Sequence, residues 1–438
     1  MTRRRYLLAA IVLLTGASLP AAAQNTIADR VARAPDGIVH MEFAGRPGVC
    51  GDGREMIGYR EAFFSRSVQS FGHGSAPTCV PGAVRVSLSV IGGRVTQMQT
   101  SVGGTWPANA RATDLGTVSA SDAATYFFGL VPQLEGRVNR ARFLLPAVLA
   151  ADNRTVPRLI ALSRDAARRT ETRREAIQWI GLLGDASSVP VLVSFARHGG
   201  DAPREKDIDH DDHAGEKGLA SAAIAALSFV ENGAGIPALI DLARTGGSAV
   251  RHSAVFWLGQ SGDPRALTAL HGVIENTAED ERIRAHAIFS LAHGANDTES
   301  EFAYLRALFP RLRSERLKES VLHGMSQAEA AGSAWLLQKS RDREEALKIR
   351  KTALFWAGQS QSTPTRDLIE FYRGVEEPKL REHAIFVLSQ RDDATALDEL
   401  VRIARNDSDR SMRSKALFWL SQKDDPRAAN LISERLFR

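Results

Sequence analysis

The two cysteines are the first residues of this sequence that could do chemistry. Cys50 and Cys79 are its only cysteines, and Cys50 lies in the glycine-rich stretch 47–53. With His73 as a base, Cys50 could act as a nucleophile, but that chemistry also needs a group that orients the base, and no helix or carboxylate is evident for this role. Because an isolated pair in an oxidising compartment usually forms a bridge, we predict a structural Cys50–Cys79 disulfide.

A stretch rich in histidine and aspartate is the second candidate. It lies in a charged insertion at residues 198–217, where residues 207–213 read Asp-Ile-Asp-His-Asp-Asp-His. Such side chains bind Zn²⁺ and Ca²⁺, but the spacing fits neither a calcium-binding loop nor a zinc finger. We therefore expect a solvated loop, with no metal site and no cofactor. The weak candidate ligands are Asp209, His210, Asp211 and His213.

Sequence motifs of common enzyme classes are missing. The chain contains no G-x-S-x-G, no H-E-x-x-H and no phosphate-binding loop. We therefore expect a protein that is not an enzyme. The alternative is an enzyme or metal-dependent module that uses Cys50 and His73, or the loop at 207–213.

The first 23 residues have the pattern of a signal peptide. Arg3, Arg4 and Arg5 precede the apolar run 7–14, and three alanines at 21–23 fit a cleavage site before Gln24. The apolar run is too short to span a bilayer. We therefore expect a periplasmic or secreted protein with no membrane span after cleavage.

The composition narrows the class of protein further. With 44% hydrophobic and 24% charged residues, the chain is neither disordered, nor collagen-like, nor a polytopic membrane protein. The formal charge of +5 would fall to +2 on cleavage, because residues 1–23 hold three arginines and no acid. No polybasic block is present, so nucleic-acid binding is not expected.

Residues 24–137 have the pattern of a small α+β domain, which we call the cap domain. Strand-like segments lie at 38–43, 84–90 and 95–100, and Gly92 and Gly93 predict a hairpin between the last two. Ser119 precedes an alanine-rich and aromatic run, which indicates the start of a helix.

From residue 138 to 438 the sequence repeats. A small residue opens the apolar run of every second predicted helix, at intervals of 47, 31, 33, 33, 33, 31 and 32 residues. A degenerate copy lies at Phe143. The small residues are Ala176, Ala223, Ala254, Ala287, Ser320, Ala353, Ala384 and Ala416. The repeat predicts an α-solenoid of about nine helical hairpins, so the fold class is mainly α.

The best-preserved copies contain Phe-Trp, with Gln three residues after the Trp, and they lie at 251–260, 350–359 and 413–422. Together with Gly262-Asp263-Pro264, they resemble the HEAT repeat of the short bacterial type called PBS-lyase HEAT-like. The resemblance covers about 300 residues. It implies a solenoid whose usual role is to bind proteins. The cap domain resembles no enzyme family, and one reversed Glu382-His383 pair does not support the dinuclear iron site of HEAT-like hydroxylases.

Repeat positions predict a binding surface. Counted from each small residue, position +2 is aromatic or Leu, +6 is often Gln and −1 is sometimes His. These positions lie opposite the core face, so a concave groove for a protein or extended peptide is one interpretation, and burial of the Phe row is the other. The residues are Phe256, Phe289, Leu322, Phe355, Phe386, Phe418, Gln260, Gln359, Gln390, Gln422, His286 and His383. Trp at +3 is expected to pack in the core.

Arginine at position −3 and aspartate at position +9 predict a structural ladder. An Arg on one second helix could pair with the turn Asp of a neighbouring repeat. The residues are Arg251, Arg284, Arg350, Arg381, Arg413, Asp263, Asp393 and Asp425. The function that we expect is an exported scaffold that binds a protein or peptide of unknown identity.

Overall fold

The computed structural model describes residues 26–54, 56–60, 62–64, 69–71, 79–106, 111–135, 143–198, 212–294 and 298–423. The chain divides into two compact units, Met1–Ala176 and Ile177–Arg438. No described helix has the length and apolar character that crossing a bilayer requires. The predicted signal peptide, His73, Asp209, His210, Asp211 and Asp425 lie outside the described residues.

The described residues of the first unit form nine strands. They are β1 (Gly37–Phe43), β2 (Val49–Gly51), β3 (Ile57–Tyr59), β4 (Ala62–Phe64), β5 (Gln69–Phe71), β6 (Val80–Pro81), β7 (Val84–Ile91), β8 (Arg94–Val102) and β9 (Ala112–Thr117). One sheet has the order β8-β7-β1-β9, in which β1 runs antiparallel to β7 and parallel to β9. The other has the order β5-β4-β3-β2-β6.

The predicted hairpin between β7 and β8 is present. Gly92 and Gly93 have φ of 57° and 72°, a conformation that glycine adopts without strain. Val84, Val86, Leu88 and Val90 are fully buried, as the alternation of apolar residues along β7 predicts.

Five helices begin among the residues of the first unit that the structure describes. They are α1 (Ile27–Arg33), α2 (Ala120–Leu134), α3 (Leu145–Leu149), α4 (Thr155–Arg164) and α5 (Thr170–Leu183). The predicted cap at Ser119 is confirmed, because its hydroxyl accepts from the backbone N–H of Asp122. Arg46 Nε donates to the carbonyl of Val148 at 2.5 Å, and Gly45 forms a β-bridge with Ala150. The compact unit therefore includes the first helices of the repeat.

The predicted disulfide is confirmed. Cys50 and Cys79 are bonded, with Cα atoms 5.2 Å apart. Cys50 therefore has no thiol, and the alternative in which it attacks a substrate with His73 as base is wrong.

The second unit is a stack of helical hairpins. Its helices are α6 (Val189–His198), α7 (Asp212–Phe229), α8 (Ile236–Thr245), α9 (Ser248–Gln260), α10 (Pro264–Glu275), α11 (Glu281–Ala292), α12 (Thr298–Leu308), α13 (Glu315–Met325), α14 (Glu329–Arg341), α15 (Leu347–Gln359), α16 (Thr365–Gly374), α17 (Pro378–Ser389), α18 (Ala394–Asn406) and α19 (Arg410–Ser421). Each small residue of the repeat lies in the second helix of a hairpin. From α4 to α19 the described residues form eight hairpins, and the degenerate copy at Phe143 falls beside the five-residue helix α3.

Consecutive second helices, from α7 to α19, contact one another directly. Small residues permit this contact. A Cβ added to Gly259 would lie 2.5 Å from the carbonyl oxygen of Ser290, and one added to Gly358 would lie 2.1 Å from Val387 Cγ1. The second helices therefore form one closely packed layer.

The predicted Arg–Asp ladder has different partners. Nε of Arg251, Arg284 and Arg350 donates to a carbonyl in the last turn of the preceding first helix, at 3.3, 2.8 and 3.2 Å. The carboxylates that pair with this arginine column come from the loop before the next second helix. The pairs are Arg251–Glu279, Arg350–Glu377 and Arg381–Asp407.

Two predicted members of the aspartate column have another role. Asp263 and Asp393 accept from backbone N–H groups at the starts of α10 and α18, so they are N-caps. The prediction that these aspartates pair with the arginines at −3 is wrong, because the arginine side chains reach the carbonyl groups at the end of the preceding first helix. Arg413 donates to the carbonyls of Asp407 and Ser408.

Replacing Cys50 and Cys79 by alanine should lower the free energy of unfolding of the first unit. A bridge that closes a loop of 29 residues contributes about 3 kcal/mol by constraining the unfolded chain. Urea unfolding followed by far-ultraviolet circular dichroism measures the loss, and reduction of the native protein should reproduce it. An unchanged midpoint in both experiments would contradict the structural role.

Gly259→Ala should destabilise the second unit by about 1–3 kcal/mol, because the new methyl group would collide with the next second helix. Gly272→Ala in α10 is the matched control, since its Cβ would meet nothing within 4 Å. The control should be neutral or stabilising by up to about 1 kcal/mol. Tryptophan fluorescence during urea unfolding compares the two; equal effects would contradict the packing argument.

Candidate functional site

The exposed side of the second helices is the candidate site. Positions −5, −1, +2 and +6, counted from each small residue, lie within about 60° of one another at about 100° per residue. We call these positions in α9, α11, α13, α15, α17 and α19 the second-helix face. Its four rows are the charged, histidine, aromatic and amide rows, in that order along each helix.

The aromatic row, at +2, is neither fully exposed nor fully buried. Phe256, Phe289, Phe355 and Phe386 are half-buried. Phe418 is 55% exposed. Leu322 is fully buried, so its prediction as a binding residue is wrong. The ring of His323 contacts Phe289 and Trp356 at this helix, and the shorter leucine lies below that surface.

Aromatic and histidine rings form an unbroken chain along the face. Successive ring centroids lie 4.4–6.4 Å apart. In order, the rings are Phe229, Trp257, Phe256, His286, Phe289, His323, Trp356, Phe355, Phe386, Trp419 and Phe418. The chain therefore links all second helices from α7 to α19.

The tryptophans at +3 occupy the seams between second helices. Trp179 is buried, as predicted for the core. Trp257, Trp356 and Trp419 are only half-buried, and each contacts a ring of the preceding second helix. The seam is too narrow to enclose an indole, so part of each ring stays accessible.

Burial lowers the pKa of His286, His323 and His383. Burial and the adjacent His252 ring lower the pKa of His286 to about 4, and the two rings stack with centroids 3.5 Å apart. Burial and nearby His293 lower the pKa of His323. Burial also lowers the pKa of His383, although its Nε2 donates to the carbonyl of Lys351 at 2.9 Å.

The amide row, at +6, offers hydrogen-bonding groups next to the rings. Gln359 and Gln390 are exposed, and the side chain of Gln359 has no hydrogen-bond partner among the described residues. Gln390 and Gln422 donate only to the adjacent Ser389 and Ser421, at 3.3 Å in each case. Gln260 is already engaged, because it donates to the carbonyl of His293 in the next second helix.

Several residues that lie on this face or beside it were not predicted from the sequence. His252, His293 and His323 belong to the ring cluster, yet they stand at −2, +6 and +3 instead of −1. The signal that could have found them is the repeat frame itself, read for histidine at every surface position and not only at −1.

The histidine–aspartate loop gives no site that can be described. Residues 199–211 lie outside the described part of the chain, and α7 begins at Asp212, so the helix already contains His213. Within the described ranges, no group of three or more His, Cys, Asp or Glu residues is placed to hold a metal ion.

Two clefts lie away from this face. One, of about 590 Å³, is lined by Arg341, Arg343 and Arg350 with Phe371, Glu376 and Glu377. Its charges are compensated internally, since Arg350 pairs with Glu377 at 2.6 Å and Arg341 lies over the Phe371 ring. The other, of about 650 Å³, lies between α1 and α2 of the first unit and has a mixed lining.

Residues 213–292 match the family model of HEAT repeats. They lie in α7 to α11, so the resemblance to HEAT repeats is confirmed for these hairpins. No characterised protein matches the sequence.

Solved structures similar to this chain include a lyase complex, a hydroxylase and importin beta. The CpcE–CpcF complex of phycocyanin lyase from Nostoc sp. has 16% identity over 57% of this chain and 94% of that one, with a TM-score of 0.27. Human deoxyhypusine hydroxylase in complex with glycerol has 16% identity over 61% of this chain and 94% of that one, with a TM-score of 0.24. Importin beta has 14% identity over 69% of this chain and 44% of that one, with a TM-score of 0.32.

Acidification should destabilise the second unit through His286. Because its folded pKa of about 4 lies below the ordinary value of 6.5, the unfolded chain binds the proton more readily between these values. The contribution is fully present above pH 6.5 and is lost as the pH falls towards 4. His286→Phe should therefore flatten the decrease in unfolding free energy between pH about 7 and about 5, measured by urea unfolding.

Phe418→Leu is the control for this pH experiment. It changes an aromatic residue of the same row that has a ring contact with Trp419 and none with a histidine among the described residues, so its effect should be the same at both pH values. A pH dependence in His286→Phe equal to that of the native protein would contradict the assignment.

Proposed function

We propose that this protein is a non-catalytic scaffold that binds an extended segment of another protein along the second-helix face. The observation that carries the proposal is the unbroken chain of partly accessible rings from Phe229 to Phe418. An apolar row of this length on a solvated surface is typical of interaction sites. In HEAT-type solenoids, stacked repeats create extended concave binding surfaces.

The chemistry of the rows supports an extended ligand. Half-buried aromatic rings offer flat apolar surface that is already ordered by contacts with neighbouring rings, which reduces the entropy lost on binding. Exposed amides at Gln359 and Gln390 stand one repeat apart and can bond both the N–H and the C=O groups of a peptide. A segment that runs across α15 and α17 would meet both rows in each of these repeats.

We propose that the protein works outside the cytoplasm. The disulfide is consistent with an oxidising compartment, and the pattern of residues 1–23 is that of a cleaved signal peptide. In this proposal residues 24–137 form a cap domain before the repeat region, and no cofactor takes part.

Phe355→Ala together with Phe386→Ala should weaken partner binding at least about 10-fold. The two rings stack with centroids 6.3 Å apart, and truncating a central aromatic anchor commonly costs about 2 kcal/mol or more. The test isolates binding proteins from an envelope extract with the native chain, purifies the retained partner, and measures its Kd for native and variant proteins by calorimetry.

Trp335→Ala is the matched control. Trp335 is also half-buried and contacts an aromatic ring, Phe309, but it lies on α14, a first helix. It should leave Kd unchanged, and circular dichroism should show that all variants remain folded. Partner binding that survives the double substitution, or that falls equally with Trp335→Ala, would overturn the proposed site.

A further inference from the structure

The contact between consecutive second helices favours one backbone conformation of a bound segment. Helices in direct contact lie about 8–10 Å apart, and consecutive second helices are in contact throughout α7 to α19. A polyproline II segment presents every third side chain on one side, at intervals of about 9.3 Å. A β-strand presents side chains on one side about every 6.7 Å, which does not match the helices.

A polyproline II segment also suits the aromatic and amide rows. Its backbone carbonyls make no internal hydrogen bonds, so they remain available to side-chain donors. Gln359 and Gln390 provide such donors beside the aromatic row. Aromatic-lined grooves are a recurring way to recognise proline-rich segments.

The charged row contains a surplus of cations. The acids at positions −1 and −5 already have partners: Glu319 lies 2.8 Å from Lys348, and Glu315 lies 3.5 Å from the same ammonium group. Beside these rows, Glu382 lies 2.5 Å from Lys415, whereas Glu281, next to Arg282, has no ion-pair partner among the described residues. In the charged row itself, the side chains of Arg282 and Lys379 have no ion-pair partner among the described residues.

Those two cations define the charge of the ligand. Both are exposed at position −5, in α11 and α17, on the side of the aromatic row opposite the amides. The histidines between them and the rings are neutral, since burial lowers the pKa of His286 and His383. Unpaired positive charge along one edge attracts and orients carboxylates.

We infer that the second-helix face binds a proline-rich segment in the polyproline II conformation that has an apolar residue at every third position and carboxylate side chains towards the charged row. This inference rests on the proposed function, and it names the class of partner. The apolar residues pack between the rings, the carbonyls accept from the amide row, and the carboxylates pair with Arg282 and Lys379.

Short peptides of defined repeat test the inference with the full chain. A fluorescently labelled peptide of Leu-Pro-Glu repeats has the expected period and charge. A Leu-Pro-Lys peptide changes only the charge, and a Leu-Glu peptide changes the period to two. Fluorescence anisotropy at low salt should show the Leu-Pro-Glu peptide binding at least about 10-fold more tightly than either of the others, and added salt should narrow the difference from the lysine peptide.

Charge-reversal variants identify the site. Arg282→Glu with Lys379→Glu should abolish or reverse the preference for the acidic peptide. Arg244→Glu is the matched control, because Arg244 is an exposed arginine on the first helix α8 with no described partner, and it should leave the preference unchanged. Phe355→Ala with Phe386→Ala should weaken every peptide that binds.

The outcomes separate this inference from the proposed function. If native protein binds the lysine or the two-residue-repeat peptide as tightly as Leu-Pro-Glu, or binds none of them, the polyproline inference is overturned. The proposed function still stands in that case if the aromatic substitutions weaken the natural partner. If the control variant loses the preference as fully as the double reversal, the assignment to the charged row is overturned.

Discussion

The close approach of consecutive second helices is the constraint on which the rest of the second unit depends. Gly259 and Gly358 stand where any larger side chain would collide with the next helix. With the seams this narrow, the large rings of each repeat cannot enter the layer completely. They lie across its surface instead, where each touches a ring from the neighbouring repeat. A packing requirement inside the layer thus produces an ordered aromatic surface outside it.

The arginine column joins the two layers of helices that this packing creates. Carbonyls in the last turn of a helix lack intrahelical partners, and the negative end of the helix dipole lies there. Arg284 and Arg350 supply both a donor and a positive charge at these ends. Arg350 also pairs with Glu377. Its side chain therefore connects a first helix, its own second helix and the loop before the next second helix.

The low pKa values of His286 and His383 keep positive charge away from the aromatic row of the second-helix face. Were His286 and His383 protonated near pH 7, positive charge would extend into the aromatic row. Burial lowers their pKa values, so the cations without a described ion-pair partner, Arg282 and Lys379, stand at one edge and uncharged amides line the other. A ligand therefore meets a surface that changes from cationic groups to aromatic rings to uncharged amides along each helix. This division gives the proposed binding face its selectivity for orientation as well as for composition.

The sequence by itself determined the repeat, the helix that holds each small residue, the hairpin at Gly92-Gly93 and the disulfide. These depend on local periodicity, turn residues or the presence of only two cysteines. Tertiary structure alone decided that Leu322 is buried while Phe418 is exposed, that Arg251 pairs with Glu279 and not with Asp263, and that His286 stacks on His252. A helix fixes the direction of its own side chains, but exposure, ion pairing and pKa depend on atoms contributed by repeats about 30 residues away, whose distance is set by how closely the helices pack.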